Sequence, residues 1–546
     1  MAVINTVPTK TFTGAKIVIE TLKNLGVDSI FGYPGGIVLG LYDELYNQNN
    51  IKHYLVRHEQ AAVHAAEGYA RISGKCGVVL VTSGPGASNT VTGIANAYLD
   101  GYPLVVITGQ VSGTLIGKDA FQEVNIVEMT KSCTKAGFQV RNINELENIL
   151  IKAFTIANSG KKGPVVVDIV KDVFNQTAEY SGQIPASFKS VQIQEYEVKT
   201  ILDEILNAKN PVIVSGGGTV HSNASRELEK FSSRFNIPVV TTLMGLGTYN
   251  PGLDNYLGML GIFGQNSANQ ALREADLILS LGARFNDRIT CCFKPEELSK
   301  KFIQVDINSE EISRNIHAFQ HIIGDIKDFL TIMNKISAQY PPSKKNYSNK
   351  IRNLKLLNKS NKAISNQLQS FEVIKAISDY TQDMSIPVAT EVGQHQMWTA
   401  QNYHFNHSGQ FITSGGLGTM GFGFPAAIGA CIASDKQPVI CIAGDGSFQM
   451  NEQELATCKD YNLPVKIFIM NNGYLGMVRQ LQQKNCNGRF SETKISNPDF
   501  IKLANAYNIP AVNVRTREEI NDALRLAFEN NSVFIINFII ESMEMV

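Results

Sequence analysis

The feature that most constrains this chain is a series of short, unbroken aliphatic runs spaced along most of its length. VVLV (78–81), PLVVIT (103–108), PVVVDI (164–169), PVIVSGGG (211–218), DLILSLG (276–282), FIQVDI (302–307), PVICIAG (438–444) and PVKIFIMNN (464–472) show little polar alternation. A strand with one wet face alternates apolar and polar residues, whereas a continuous Val/Ile/Leu run suits a strand covered on both faces. The stretches between runs read as helices, and strand–helix–strand alternation implies parallel sheets with right-handed crossovers. The expected fold class is α/β, built from doubly wound parallel sheets.

Two polar stretches interrupt the rhythm, NQTAEYSGQIPASFKSVQIQEYE (175–197) and YPPSKKNYSNKIRNLKLLNKSNKAISNQLQ (340–369). They read as interdomain connections, the second with some helical character. At 546 residues the chain exceeds what one hydrophobic core serves. The breaks divide it into 1–178, 195–335 and 370–546, three units of ordinary domain size. The first and third units share an outline. Residues 78–110 and 439–472 each run strand, Gly-x-Gly turn, helix, Pro, strand, with Gly84 and Gly86 matching Gly444 and Gly446. Any two βαβ units look partly alike, so this match suggests two copies of one fold without requiring them.

Lys plus Arg and Asp plus Glu both total 49, so overall charge gives no case for nucleic acid or an anionic membrane as partner. No apolar run reaches the ~18 residues of a membrane-spanning helix. The first residues, MAVINTVPTKTFTG, lack the regions of a secretory signal, so a cytoplasmic location is expected. The eight cysteines form no C-x-x-C and the nine histidines no H-E-x-x-H, which leaves reduced core cysteines and little support for zinc.

Gly-Asp-Gly (444–446) closes one aliphatic run and Asn-Asn (471–472) closes another. In an open parallel sheet, ligands collect beyond the carboxyl ends of the strands. The intervening helix returns the chain to the same edge, so Asp445 and Asn472 are expected close together. Alone, either cluster is a tight turn. Together, a carboxylate and a carboxamide are hard oxygen donors, and Mg²⁺ takes one or two such groups and completes its shell with phosphate and water. Glycine lets backbone approach a ligand, and a helix opening near Gly446 and Ser447 favours phosphate. The pattern reads as a Mg²⁺–diphosphate site.

Gly-Asp-Gly followed by Asn-Asn at this spacing resembles the signature of thiamine diphosphate enzymes. The resemblance implies Mg²⁺ ligands at Asp445, Asn472 and the Tyr474 carbonyl, diphosphate contacts at Gly446, Ser447, Gln394 and His395, and further cofactor contacts at Gly418, Gly476 and Met477. Met420 stands where the family places a large apolar side chain that bends the cofactor. Thiamine chemistry also needs a carboxylate beside the aminopyrimidine, in a setting that keeps its proton affinity up. Glu59 follows a short apolar strand and opens an Ala-rich helix, in a context, RHEQ-x-x-x-HAAEGYAR, that matches the family's glutamate motif. Glyoxylate carboligases have an apolar residue there. The carboxylate lies on the first unit and the anchor on the third. In this family such units meet across a dimer interface, which implies an active site made from two chains.

Within the thiamine enzymes, the chain resembles the catalytic subunit of acetohydroxyacid (acetolactate) synthase over about residues 12–535. Long motifs carry the resemblance, among them FGYPGG (31–36), TSGPGASN (82–89), GKDAFQE (117–123), LGARFNDR (281–288), EVGQHQMWTAQ (391–401) and NNGYLGMVRQ (471–480). It implies decarboxylation of pyruvate on thiamine and attack of the hydroxyethyl carbanion on a second 2-ketoacid, pyruvate or 2-ketobutyrate, at the start of branched-chain amino acid synthesis. It places Gly36 and Gln122 near the reacting carbon, Phe121 and Lys171 on the approach, and Arg284 on the second substrate's carboxylate. The assembly it implies is a homodimer or tetramer, and a small regulatory subunit is a further partner the family admits. Pyruvate oxidase, a simple decarboxylase and catabolic acetolactate synthase are the rival thiamine enzymes. A non-catalytic paralogue is disfavoured by intact Glu59, Asp445, Asn472 and Gln122.

The resemblance also implies FAD as a structural cofactor in the middle unit, at Gly217, Lys161, Arg284, Asp306 and Asp325. Three departures weaken that expectation: Lys161 replaces an Arg, Phe263 a His, and Asn286 an Asp. Leu481 replaces a Trp that favours 2-ketobutyrate as acceptor, so acceptor choice is expected to loosen. The usual Pro/Gly-rich tail over the active site is not seen after IIESMEMV, which implies a less complete cover or one supplied otherwise.

Overall fold

The structure, a computed structural model, describes residues 10–183, 191–342, 347–358 and 365–546. Parts of both polar stretches, 184–190, 343–346 and 359–364, lie outside the described residues. The first stretch includes the strand Thr177–Tyr180, paired antiparallel with Lys10–Thr13, and the second includes the helix Ser348–Leu356, in line with its expected helical character.

Three six-stranded sheets organise the molecule, and all their strand pairs are parallel. The first holds Ser29–Tyr33, Lys52–Leu55, Gly77–Val81, Leu104–Gln110, Ala136–Val140 and Pro164–Val170. Counted in chain order, its strands lie 2-1-3-4-6-5. The third holds Val388–Thr390, Phe411–Ile412, Val439–Gly444, Val465–Asn471, Ala511–Val514 and Phe534–Ile539, again 2-1-3-4-6-5. The middle sheet, from Pro211–Ser215 to Gln320–Ile323, lies 3-2-1-4-5-6, the dinucleotide-fold order. The suggested kinship of the first and third units is thus present as identical topology.

All eight aliphatic runs are inner strands, and the residues within each are almost all buried. Edge strands such as Lys52–Leu55 and Gln320–Ile323 are short and half polar, because one side of each meets no neighbouring strand. Among the described residues no helix is long and apolar enough to cross a membrane. The cysteines are all free. Cys431, Cys441 and Cys458 are buried as expected of core residues, but Cys291 is exposed.

The first and third domains meet along two helices, Glu59–Ser73 and Gly423–Ala433, both rich in Ala and Gly. A Cβ on Gly68 would lie 2.0 Å from the Ala426 carbonyl oxygen, so only glycine permits this backbone approach. Their side chains join one core that includes Ala61, Ala65, Phe422 and Ala427.

Candidate active site

In the third domain, Val439–Gly444 passes at once into the short helix Asp445–Phe448, so this helix opens at Asp445 rather than at Ser447. The adjacent strand ends at Asn471 and places Asn472 next along the same edge. Asp445 is buried, and its Oδ2 accepts the Gly473 amide at 2.8 Å and the Asn497 side-chain amide at 2.7 Å. The carboxylate therefore ties the two clusters together. Burial raises its pKa, and the Asn497 and Gly473 donors pull it back. Asn472 Oδ1 accepts the Tyr474 amide at 3.0 Å, which fixes the turn. Sequence reading missed Asn497, which also donates to Asn471; it lies in a loop with no motif around it.

A cavity of about 60 Å³ opens between these clusters. Asp445, Gly446, Ser447, Asn472, Tyr474, Gly476, Met477, Met420, Gln394 and His395 all line it, whereas Gly418 lies outside its lining. His395 Nε2 and Gln394 Oε1 are buried without a hydrogen-bond partner. Burial holds His395 neutral, with its pKa lowered to about 3. Two orphaned polar atoms beside a carboxylate, a carboxamide and backbone groups call for a polar ligand. The donor set fits Mg²⁺ with a diphosphate. The residues Ser542–Val546 fold back beside this cavity: Arg479 donates to the Ser542 carbonyl at 3.0 Å, Gln394 Nε2 to the Glu544 carbonyl at 3.0 Å, and Gln480 exchanges two bonds with Val546.

The first domain gathers its candidates along the carboxyl edge of its own sheet. Gly36 follows Ser29–Tyr33, Glu59 follows Lys52–Leu55, Gln122 follows Leu104–Gln110, and Lys171 follows Pro164–Val170. Glu59 is half-buried and its Oε2 accepts the Asn89 amide at 2.9 Å. Gln122 holds a left-handed φ of 62° and sits against Gly84, where a Cβ would meet it at 2.8 Å. Phe121 is 88% exposed, and Gly36 and Lys171 are exposed too. Glu59 is not among the residues lining the Asp445 cavity.

A second cleft of about 630 Å³ runs between the three domains. Lys161, Gly217, Arg284, Asp306, Asp325, Gly418, Met477 and Leu481 line it, so Met477 belongs to both cavities. The glycines after Pro211–Ser215 sit at the switch point of the middle sheet, where strand order reverses. A Cβ on Gly216 would lie 2.2 Å from the Gly282 carbonyl oxygen. Arg284 donates to the Leu99 carbonyl at 2.6 Å and so bridges to the first domain; it makes no ion pair among the described residues. Asp325 caps the helix Ile326–Ser337 through the Lys327 and Asp328 amides. Burial raises the Asp306 pKa and, with Arg284 nearby, lowers that of Lys161.

Three comparisons with known families align with this architecture. Residues 12–129, 198–333 and 391–538 match the N-terminal TPP binding domain, the central domain and the C-terminal TPP binding domain of thiamine pyrophosphate enzymes. The chain is 43% identical to the acetolactate synthase large subunit of Buchnera aphidicola subsp. Schizaphis graminum, covering 96% of this chain and 94% of that one. It is 41% identical to the acetolactate synthase large subunit of Haemophilus influenzae, with the same coverage of 96% and 94%. Against the acetolactate synthase isozyme 2 large subunit of Escherichia coli the identity is 39%, over 98% of this chain and 96% of that one.

Proposed function

The chain belongs to the thiamine diphosphate-dependent acetolactate synthase large subunits, and from that premise we propose that it joins two 2-ketoacids with loss of carbon dioxide. The observation that carries the reading is the third-domain cavity, where Asp445, Asn472 and the orphaned atoms of His395 and Gln394 converge. Thiamine diphosphate, when bound, supplies the nucleophilic carbon that takes up pyruvate and passes a two-carbon unit to the acceptor. Asp445, Asn472 and the Tyr474 carbonyl would hold Mg²⁺, and Gly446, Ser447, His395 and Gln394 would hold the diphosphate. Met420, on the cavity wall, would press the cofactor into its bent form.

With thiamine diphosphate bound, Glu59 would carry and return a proton at the aminopyrimidine nitrogen. Glu59 does not line its own chain's cavity, which supports the reading that in a dimer or tetramer it would serve the cavity of a second copy. Gly36, Phe121 and Lys171, exposed on the same edge, and the half-buried Gln122 would complete that site from the same side. The Arg284 guanidinium, in the large cleft with Leu481, suits an acceptor carboxylate. The rest of that cleft suits FAD: a glycine-lined switch point, Asp306 and Asp325, and a volume of about 630 Å³ that falls in the range of cofactor pockets. The domain limits 1–178, 195–335 and 370–546, a cytoplasmic location and a small-subunit partner belong to the same reading.

The test is incubation with pyruvate, Mg²⁺ and thiamine diphosphate, with and without FAD. Acetolactate should form only when Mg²⁺ and thiamine diphosphate are both present. Acetaldehyde or acetyl phosphate in its place would assign the chain to a rival thiamine enzyme.

A further inference from the structure

The segment Ser414–Phe424, SGGLGTMGFGF, carries Met420 and contains five glycines, so it has few side chains with which to fix its own shape. Its amides are tied from two sides. From the first domain, Asp100 accepts the Gly415 and Gly416 amides at 3.2 and 2.7 Å. Ser414 Oγ accepts the Gly418 and Thr419 amides and donates to Asn96. From within the third domain, Glu391 Oε2 accepts the Gly421 amide at 2.7 Å and Oε1 the Phe424 amide at 3.0 Å. The Asn451 side chain donates to the Gly421 carbonyl at 2.6 Å.

Glu391 is 0% exposed and makes no ion pair among the described residues. A buried carboxylate is costly unless hydrogen bonds satisfy it. Here both oxygens are satisfied by amides just after Met420, those of Gly421 and Phe424 at the start of the helix Gly423–Ala433. Gly421 directly follows Met420, and it is held through its amide by Glu391 and through its carbonyl by Asn451, so these two side chains fix the backbone from which Met420 leaves toward the helix.

We propose that Glu391 is a positioning residue for the cofactor site, setting the backbone from which Met420 meets bound thiamine diphosphate. This rests on the cofactor assignment above. Glu391 touches neither cofactor nor substrate; it acts through the Gly421 and Phe424 amides. Glu391→Gln keeps the shape but turns one acceptor into an NH₂ group facing an amide N–H. The turn must then shift, and Met420 with it.

The test uses the holoenzyme and has a readout besides turnover, since Trp398 is the chain's single tryptophan and lines the cavity. Thiamine diphosphate with Mg²⁺ should change Trp398 fluorescence saturably in wild type and in E391Q. In E391Q kcat should fall about 10- to 100-fold while KM for pyruvate moves less than about 3-fold. In a Met420→Ala background, E391Q should add less than about 2-fold, since it acts through that side chain. Wild-type kcat in E391Q, or an undiminished effect in the Met420→Ala background, would overturn the proposal. If E391Q does not fold, Asn451→Ala carries the same cycle: loss of its effect in the Met420→Ala background supports the proposal, and full additivity overturns it. A wild-type enzyme with neither a fluorescence change nor acetolactate overturns the cofactor assignment and the proposal with it, and so is told apart from a failure confined to the variants.

Discussion

The first and third domains run their strands in the same order, 2-1-3-4-6-5, yet they finish those strands differently. In the third, the carboxyl edge turns inward: Asp445, His395 and Gln394 are buried along one cavity and Glu391 is buried behind it. In the first, the corresponding edge turns outward: Gly36, Phe121 and Lys171 are exposed and Glu59 is only half-buried. One fold thus carries a preformed anchor in one copy and an open face in the other. Within this chain the third domain packs against the first along Gly423–Ala433, and the proposed completion of the exposed face by a second chain makes the contrast open to a direct test.

The strongest way to break this comparison is to disable each half separately. Glu59→Gln should reduce acetolactate formation below detection while assembly, followed by light scattering, persists. Asp445→Asn should do the same by removing the metal ligand. If the halves meet across a two-fold interface, mixing the two inactive chains creates hybrid dimers with one intact site each. Random exchange would then restore about a quarter of wild-type activity. No recovery under conditions where subunits demonstrably exchange would place both halves in one chain.

How much of this was legible in the sequence follows from which residues carry a local pattern. The eight quoted runs announced themselves as inner strands because burial on both faces forbids polar alternation, and Asp445 and Asn472 because each ends such a strand, whereas the inner strands Ser29–Tyr33, Val239–Thr241, Val388–Thr390 and Phe534–Ile539 were not picked out. The edge strand Ala136–Val140 was silent, since one open side permits a mixed composition. Glu391 lay inside a quoted motif but showed no sign of its task, because its partners, the Gly421 and Phe424 amides, are 30 and 33 residues away. Asn497 and the returning segment at Ser542–Val546 likewise act through contacts made only by folding. Domain kinship was suggested by one pair of Gly-x-Gly turns and became plain only as topology.

A smaller effect probes the wall the two domains share. His64, on the helix Glu59–Ser73, is fully buried with its ring 5.3 Å from that of Phe422. Burial first, and Arg71 second, lower its pKa from 6.5 to about 3. The sign follows directly. Below pH 6.5 the unfolded chain takes up a proton that the folded chain refuses, so stability is full above that pH and falls as pH drops. Between pH 8 and pH 5 this one residue should cost about 2 kcal/mol. Glu67 and Glu391, both raised to about 7 chiefly by burial, act in the opposite sense, so the measurement must be a difference. His64→Gln should lose less stability than wild type over that range in denaturant titrations. Equal losses would mean that this shared wall admits water or relaxes on acidification.

The last test asks whether the large cleft beside the Asp445 cavity governs the choice of acceptor. Leu481 is 48% exposed and lines the cleft with Arg284 and Met477. The acceptors pyruvate and 2-ketobutyrate differ by a single methylene, worth about 0.8 kcal/mol when buried. A leucine half open to solvent covers little of it. Leu481→Trp adds a broad apolar surface at the same point of the wall, and discrimination for one methylene in a formed pocket is about 1–3 kcal/mol. With both ketoacids in competition, the ratio of acetohydroxybutyrate to acetolactate should rise about 10-fold, with total carbon dioxide release little changed because the first half-reaction does not use this wall. An unchanged product ratio would show that position 481 does not touch the acceptor, and would shift the search for acceptor selection to the exposed Phe121 on the face contributed by the first domain.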